Sequence, residues 1–189
     1  MIADTNGEID VLALSPAVGA EIRDVDLAEP LDDDTFAAIY SVWLDHGVLR
    51  FRDQQLSDFD LVAFSRRFGD LDLAPVKGHG QAVVEGFPEL FIISNVIEDG
   101  VSIGSLGDSE LLWHTDMAYT EEPPKASCLY SLSVPETGGE TGYIDMYATY
   151  EALSADLKQR IEGRTIKHDS VYTLDGYLRD VSGERLDPD

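Results

Sequence analysis

Residues 113–120, with the sequence W-H-T-D-M-A-Y-T, have the residue types and the spacing of a metal-binding site. His114 and Asp116 are two positions apart, so their side chains point to the same side of the chain if the backbone is extended. An imidazole and a carboxylate on one side are two of the three ligands of a 2-His-1-carboxylate facial triad, which suits Fe(II) and leaves positions for a co-substrate and O2. We therefore predict that His114 and Asp116 are metal ligands.

Further motifs follow this segment in a fixed order. Residues 121–124 read E-E-P-P, residues 135–141 read P-E-T-G-G-E-T, and residues 150–153 read Y-E-A-L. With these motifs after W-H-T-D, the chain resembles the taurine dioxygenase (TauD/TfdA-like) family of iron- and 2-oxoglutarate-dependent oxygenases. The resemblance extends from about residue 10 to about residue 175.

This resemblance implies a fold, a set of cofactors and a third site residue. The expected fold is mainly β with flanking helices around a jelly-roll (double-stranded β-helix, clavaminate synthase-like) core, either complete or incomplete in this chain. The expected cofactors are Fe(II), 2-oxoglutarate as co-substrate and O2, and the expected reaction is hydroxylation of a small organic substrate. Thr141 matches the family threonine that hydrogen-bonds 2-oxoglutarate, so we predict that it binds this co-substrate.

Two other residues of the family's site have no clear counterpart in this chain: the distal histidine ligand and the arginine that pairs with the far carboxylate of 2-oxoglutarate. The other histidines are His46, His79 and His168. His168 and Arg179 reproduce the family's interval of 11 residues, but they come too early in the chain, and a histidine that closes a strand is the better interpretation. Without the distal histidine only two ligands are evident, so we expect weak binding of Fe(II). Guanidinium–carboxylate pairing is the strong way to hold a diacid, so without the arginine we expect turnover of 2-oxoglutarate to be absent or very slow.

Three functions therefore stay open. The first is an Fe(II)- and 2-oxoglutarate-dependent dioxygenase, of which this chain resembles the N-terminal two thirds. The second is a non-catalytic truncated remnant or binding module, and the third is a half-barrel that a second chain completes. A jelly roll that is cut part-way exposes strand edges, so we also expect a homo-oligomer or a partner that covers an open sheet edge.

The substrate does not follow from the resemblance. In the taurine-cleaving members, a histidine, a tyrosine and an asparagine bind the sulfonate, and the corresponding residues here are Ala74, Lys77 and Glu110. These replacements remove the sulfonate-binding groups, and the carboxylate of Glu110 would repel an anion. We therefore expect a small organic substrate other than taurine.

Composition limits the partners of the chain. Its 189 residues include 13 basic and 37 acidic ones, for a net charge of −24, which repels nucleic-acid phosphates and anionic lipids. There is no apolar run of about 18 residues and no signal-peptide pattern, so we expect a cytoplasmic protein without a membrane span. The length predicts one domain over residues 1–189. Cys128 lies in an apolar run and is predicted to be buried.

The elements that must position these residues follow from periodicity and from capping residues. Helices are predicted at residues 32–47, 57–69, 146–153 and 154–161, with N-caps at Asp32, Ser57 and Ser154. Strands are predicted at residues 9–14, 19–25, 48–52, 90–96, 125–134, 141–145 and 165–168. Residues 97–110 are rich in Gly, Ser and Asp and lead to His114, so we predict a lid there.

Overall fold

The computed structural model describes residues 9–74, 83–104 and 113–166. Contacts divide the chain into two compact units, one comprising residues 1–109 and 126–153 and the other comprising residues 110–125 and 154–189. His114 and Asp116 belong to the second unit, whereas Thr141 belongs to the first. The single domain over residues 1–189 stays a prediction.

A three-stranded sheet with one covering helix forms the base of the first unit. Strand β1 (Asp10–Ala13) is antiparallel to β2 (Ala20–Arg23), and β2 is parallel to β3 (Leu49–Phe51). Helix α1 (Asp33–His46) connects β2 to β3, because two parallel neighbours need a crossover between them. These four elements lie within the residues predicted for them.

The core of this unit lies between the sheet and α1. Side chains alternate along a strand, so Ala20 and Ile22 share one side of β2, where both are buried. The buried cluster consists of small and branched apolar residues: Ile9, Ala20, Ile22, Ile39 and Val42. Ile39 and Val42 are the buried residues of α1, so the side of the helix that carries them packs on the sheet.

Helix α1 begins and ends where the sequence predicts. The side chain of Asp32 accepts a hydrogen bond from the N–H of Thr35 at 2.7 Å, which satisfies a free donor of the first turn. At the other end, Gly47 has a φ of 70° and donates its N–H to the carbonyl of Trp43 at 2.7 Å. Glycine is favoured there because a side chain rarely adopts a positive φ.

Helix α2 (Asp58–Arg66) begins as predicted but ends earlier. The Ser57 hydroxyl accepts from the N–H of Asp60 at 3.3 Å, and the Asp60 carboxylate accepts from the N–H of Ser57 at 2.9 Å, which is a capping box. The prediction that this helix continues to Gly69 is wrong. From Arg67 onward the N–H groups bond to carbonyls three residues back, so the chain tightens out of the α-helix.

The two strand pairs that follow α2 differ from the predictions. Strand β4 (Val83–Val84) is antiparallel to β5 (Phe87–Phe91), so the strand predicted at residues 90–96 begins earlier and ends at Phe91. Strand β6 (Ile97–Glu98) is antiparallel to β7 (Val101–Ser102). The predicted lid therefore begins with a short hairpin, and its residues 105–110 lie outside the described part of the chain.

The strands predicted at residues 125–134 and 141–145 are wrong, and residues 165–166 form none either. β-prone residues form a strand only when their backbone groups pair with a neighbouring strand, and no described strand pairs with these segments. Leu129, Leu132 and Val134 are exposed as a result, and so is Cys128, which was predicted to be buried. The described residues thus form three small sheets, and they do not themselves form a jelly roll.

Two short helices follow, as the sequence predicts. Helix α3 (Met146–Glu151) in the first unit is capped by Asp145, and helix α4 (Ala155–Ile161) in the second unit is capped by Ser154. Within the described residues, no helix has the length and the apolar character needed to cross a membrane.

Candidate metal centre

His114 and Asp116 lie side by side in the second unit. The Nε2 atom of His114 is 3.0 Å from the Oδ1 atom of Asp116. Their side chains are 53% and 61% exposed, so both are open to solvent. No strand holds them, because residues 114–115 have no regular structure and Asp116 begins a turn. The structure thus brings together the two side chains predicted to bind a metal, while their role as ligands stays a prediction.

The distance between these two atoms fits a shared metal ion. Bonds from a metal to imidazole nitrogen or carboxylate oxygen are about 2.1 Å long in proteins. Two such bonds whose outer ends are 3.0 Å apart enclose an angle of about 90°, as adjacent octahedral positions require. One imidazole and one carboxylate are also two of the three donors that Fe(II) takes in a 2-His-1-carboxylate facial triad. The pair therefore fits as two of the ligands of Fe(II).

A tight turn follows Asp116 directly. The N–H of Thr120 donates to the carbonyl of Met117 at 2.9 Å, and the hydroxyl of Thr120 lies 2.8 Å from the same oxygen. Met117 has a φ of 49°, which is uncommon for a residue with a side chain. The sequence does not indicate this turn, because the segment contains no glycine or proline.

The third ligand is not assigned. Among the residues that the structure describes, no three His, Cys, Asp or Glu side chains are grouped so that they could hold a metal ion. His46 lies in the last turn of α1, in the first unit, where its carbonyl accepts hydrogen bonds from the N–H groups of Gly19 and Val48. His79, His168 and Arg179 lie outside the described residues.

Thr141 is exposed and follows a turn in the first unit. Gly138 and Gly139, just before it, have φ values of 79° and 74°. A Cβ atom on Gly139 would lie 3.2 Å from the Cγ atom of Pro135, so the turn also favours glycine on steric grounds. The contact between Thr141 and 2-oxoglutarate stays a prediction.

The sequence matches a family model described as taurine catabolism dioxygenase TauD, TfdA family, over residues 10–185. The chain belongs to the TauD/TfdA family.

Relatives in this family include proteins that are named as dioxygenases. An (S)-phenoxypropionate/alpha-ketoglutarate-dioxygenase of Sphingobium herbicidovorans is 33% identical over 172 residues, which are 87% of this chain and 54% of that protein. The structure of a taurine dioxygenase from Burkholderia xenovorans has a TM-score of 0.68 and 33% identity, and the match covers 94% of this chain and 61% of that one. AAD-2 in complex with Mn(II) and N-oxalylglycine matches with a TM-score of 0.59 and 27% identity over 82% of this chain and 53% of that one.

Two statements follow from these matches. The structural relatives are TauD-type dioxygenases, whose fold is a jelly roll. The chain spans about half the length of the curated relatives it matches.

Tyr130 anchors the irregular segment at residues 126–133 to the rest of the first unit. The hydroxyl of Tyr130 accepts from the N–H of Leu56 at 3.1 Å and donates to the carbonyl of Gln54 at 3.3 Å. The side chain of Gln54 in turn accepts from the N–H of Leu27 at 2.8 Å. Tyr130 and Leu56 are 74 residues apart, so no local pattern in the sequence indicates this contact.

The residues compared with the taurine site are only partly described. Ala74 is buried, and its N–H donates to the carbonyl of Pro88 at 2.9 Å. Lys77 and Glu110 lie outside the described residues. Of the three positions compared with the taurine site, the structure thus describes only Ala74, which is buried.

Proposed function

We propose that this TauD/TfdA-family protein is an Fe(II)- and 2-oxoglutarate-dependent dioxygenase that hydroxylates a small organic molecule. The observation that carries the proposal is the separation of 3.0 Å between His114 Nε2 and Asp116 Oδ1, in a chain of this family. The name of the relative from Sphingobium herbicidovorans, which includes alpha-ketoglutarate, supports the choice of co-substrate. The overall reaction converts 2-oxoglutarate, O2 and a C–H group into succinate, CO2 and an alcohol.

Each proposed site residue has a distinct role. His114 and Asp116 hold the metal with a neutral nitrogen donor and an anionic oxygen donor. Bound Fe(II) supplies the redox chemistry that activates O2 and oxidises the C–H bond. Thr141 donates a hydroxyl hydrogen bond to a carboxylate of 2-oxoglutarate and adds no charge of its own.

In this proposal the complete site lies within a jelly-roll domain, the fold of the structural relatives. A further histidine as third ligand and a cation for the far carboxylate of 2-oxoglutarate complete the proposed chemistry. Neither is assigned to a residue of this chain. Because one neutral hydrogen bond contributes only about 0.5–1.5 kcal/mol, an unpaired carboxylate should weaken binding of 2-oxoglutarate at least about tenfold relative to a charge-assisted pair.

Succinate formation from 2-oxoglutarate with Fe(II) and ascorbate tests the proposal. We expect slow turnover that disappears in His114→Ala and persists in His46→Ala, a matched control that removes a histidine from the other unit. Equal turnover in the wild type and in His114→Ala would contradict the proposal, because it would come from iron in solution.

The substrate is tested by its stimulation of the same reaction. (S)-Phenoxypropionate is the first candidate, because it is named for a relative that is 33% identical. Taurine should not stimulate succinate formation, since Ala74 offers no polar group to a sulfonate. The strong negative charge of the chain further favours a small-molecule substrate over nucleic acid or a membrane surface. The proposed location of the protein is the cytoplasm.

A further inference from the structure

We propose that Thr120 is a positioning residue for the metal pair, because it fixes the turn that keeps Asp116 beside His114. The inference rests on the proposed function, in which these two side chains hold the metal. Thr120 acts through the backbone of Met117, the residue that follows Asp116 in the chain.

Met117 joins Asp116 to the turn through a left-handed backbone conformation. Its φ of 49° is the torsion about the bond between its own N and Cα atoms. This torsion sets the direction in which the peptide group shared with Asp116 leaves the turn. A residue with a side chain keeps such a conformation only when its surroundings hold it there. Whatever holds Met117 therefore also fixes the direction of Asp116.

Thr120 supplies the contacts that hold Met117. Its N–H donates to the carbonyl oxygen of Met117 at 2.9 Å, and its Oγ1 atom lies 2.8 Å from that oxygen. The same Oγ1 atom lies 3.1 Å from the carbonyl oxygen of Glu122. The hydroxyl has one proton to donate, and the carbonyl of Met117 is the nearer of these two acceptors. Thr120 and Met117 are half-buried, which limits competition from water for these bonds.

The exposed pair depends on this backbone constraint. The side chains of His114 and Asp116 are each more than half exposed, and they contact each other at 3.0 Å. The path of the chain on either side of the pair sets whether Nε2 and Oδ1 can come this close. A turn that opens after Asp116 would separate the two donors before a metal binds, and the metal would have to bring them together again.

Binding of Mn(II) alone to the complete chain tests the inference, with free Mn(II) measured by electron paramagnetic resonance. Thr120→Val keeps the shape of the side chain and removes the hydroxyl. It should weaken binding several-fold, less than the loss of a group that is bonded directly to a ligand. Thr120→Ser restores the hydroxyl and should restore the affinity. The thermal midpoint without metal, measured for each variant, should change little, since the turn lies at the surface.

A second pair of variants tests the backbone of Met117. Met117→Pro fixes φ near −65° and should lose affinity as Thr120→Val does. Met117→Gly accepts a positive φ and should bind Mn(II) like the wild type. This pair decides the question if Thr120→Val fails to fold.

Two results would overturn the inference: wild-type affinity in Thr120→Val or Met117→Pro, or equal losses in Thr120→Val and Thr120→Ser. A wild type that binds Mn(II) no better than His114→Ala would instead overturn the proposed function. The two failures are thus distinguishable, because only the second one removes the difference between the wild type and His114→Ala.

Discussion

At the scale of single residues, Glu21 shows how this chain keeps a charge in a buried position. Glu21 is only 5% exposed. Its carboxylate accepts hydrogen bonds from three arginines: Arg23 at 2.8 Å, Arg52 at 3.0 Å, and Arg50. These bonds, that from Arg23 first, lower the pKa of Glu21 from 4.5 to about 2. The alternation along β2 predicts the orientation of this side chain. Its partners depend on the parallel pairing that places Glu21 opposite Arg50, which no local pattern predicts.

The pKa of Glu21 predicts how stability depends on pH. Because the folded-state pKa is below the unfolded one, the contribution of Glu21 is fully present above pH 4.5 and is lost as the pH falls toward 2. We expect Glu21→Gln to lower the free energy of unfolding at pH 7 and to flatten its decrease between pH 4.5 and 2. Urea unfolding across this range measures both effects, with the exposed Glu29→Gln as control. An equally steep acid decrease in Glu21→Gln would show that other carboxylates cause it.

In the candidate site, too, some contacts follow from local sequence and others depend on distant parts of the chain. His114 and Asp116, two positions apart, do come together at 3.0 Å. The backbone there is not the extended strand on which that expectation rested, because Asp116 begins a turn that the sequence does not indicate. Local spacing is not enough for Thr141 or for a third ligand, because their place depends on contacts between distant parts of the chain. These parts of the site stay predictions for that reason.

At the scale of elements, the helices follow from the sequence and several strands do not. Capping residues and periodicity are local signals, and they give α1, α3 and α4 to within two residues. A strand needs a partner from elsewhere in the chain, so the β-prone residues 125–134 are irregular where no described strand pairs with them. Local propensity thus predicts a helix far better than it predicts a strand.

The cap of α2 leads to a test of this local signal. Ser57→Ala removes the hydroxyl that accepts the N–H of Asp60, and we expect it to cost about 1 kcal/mol of unfolding free energy. Ser41→Ala, at an exposed position within α1, is the matched control and should be neutral or slightly stabilising, because alanine favours a helix. Urea unfolding of both variants measures the difference. Equal stability of the two would show that the cap contributes nothing.

Tyr130 provides a second test at this scale, for a contact that no local signal predicts. Tyr130→Phe leaves the N–H of Leu56 without its acceptor, and we expect a loss of about 1 kcal/mol. Tyr147→Phe is the control, since Tyr147 is 87% exposed. If chemical denaturation gives the same stability for both variants, Tyr130 does not anchor residues 126–133.

At the scale of the whole molecule, apolar side chains in the first unit are open to solvent. Leu132 is 85% exposed, and Leu129, Val134, Ile144 and Met146 are exposed as well. Exposed apolar groups of this kind favour association, whereas a net charge of −24 opposes it between two copies. The balance between these two effects should therefore depend on ionic strength.

We predict that the chain forms dimers or larger species as salt is raised, because salt screens the repulsion between copies. Sedimentation velocity from low to high ionic strength measures this. Leu132→Asp should reduce association, whereas Leu44→Asp, an exposed leucine on α1, should not. A monomer at every salt concentration would contradict the prediction.

The central claim is that His114 and Asp116 together bind Fe(II), and anaerobic calorimetric titration with Fe(II) tests it most directly. Wild-type protein and His46→Ala should bind with equal affinity, although weakly, since only two protein ligands are assigned. His114→Ala and Asp116→Ala should each bind at least about tenfold more weakly, because each removes a donor from the metal. Unchanged affinity in both of these variants would contradict the claim, since the iron would then be held by other residues.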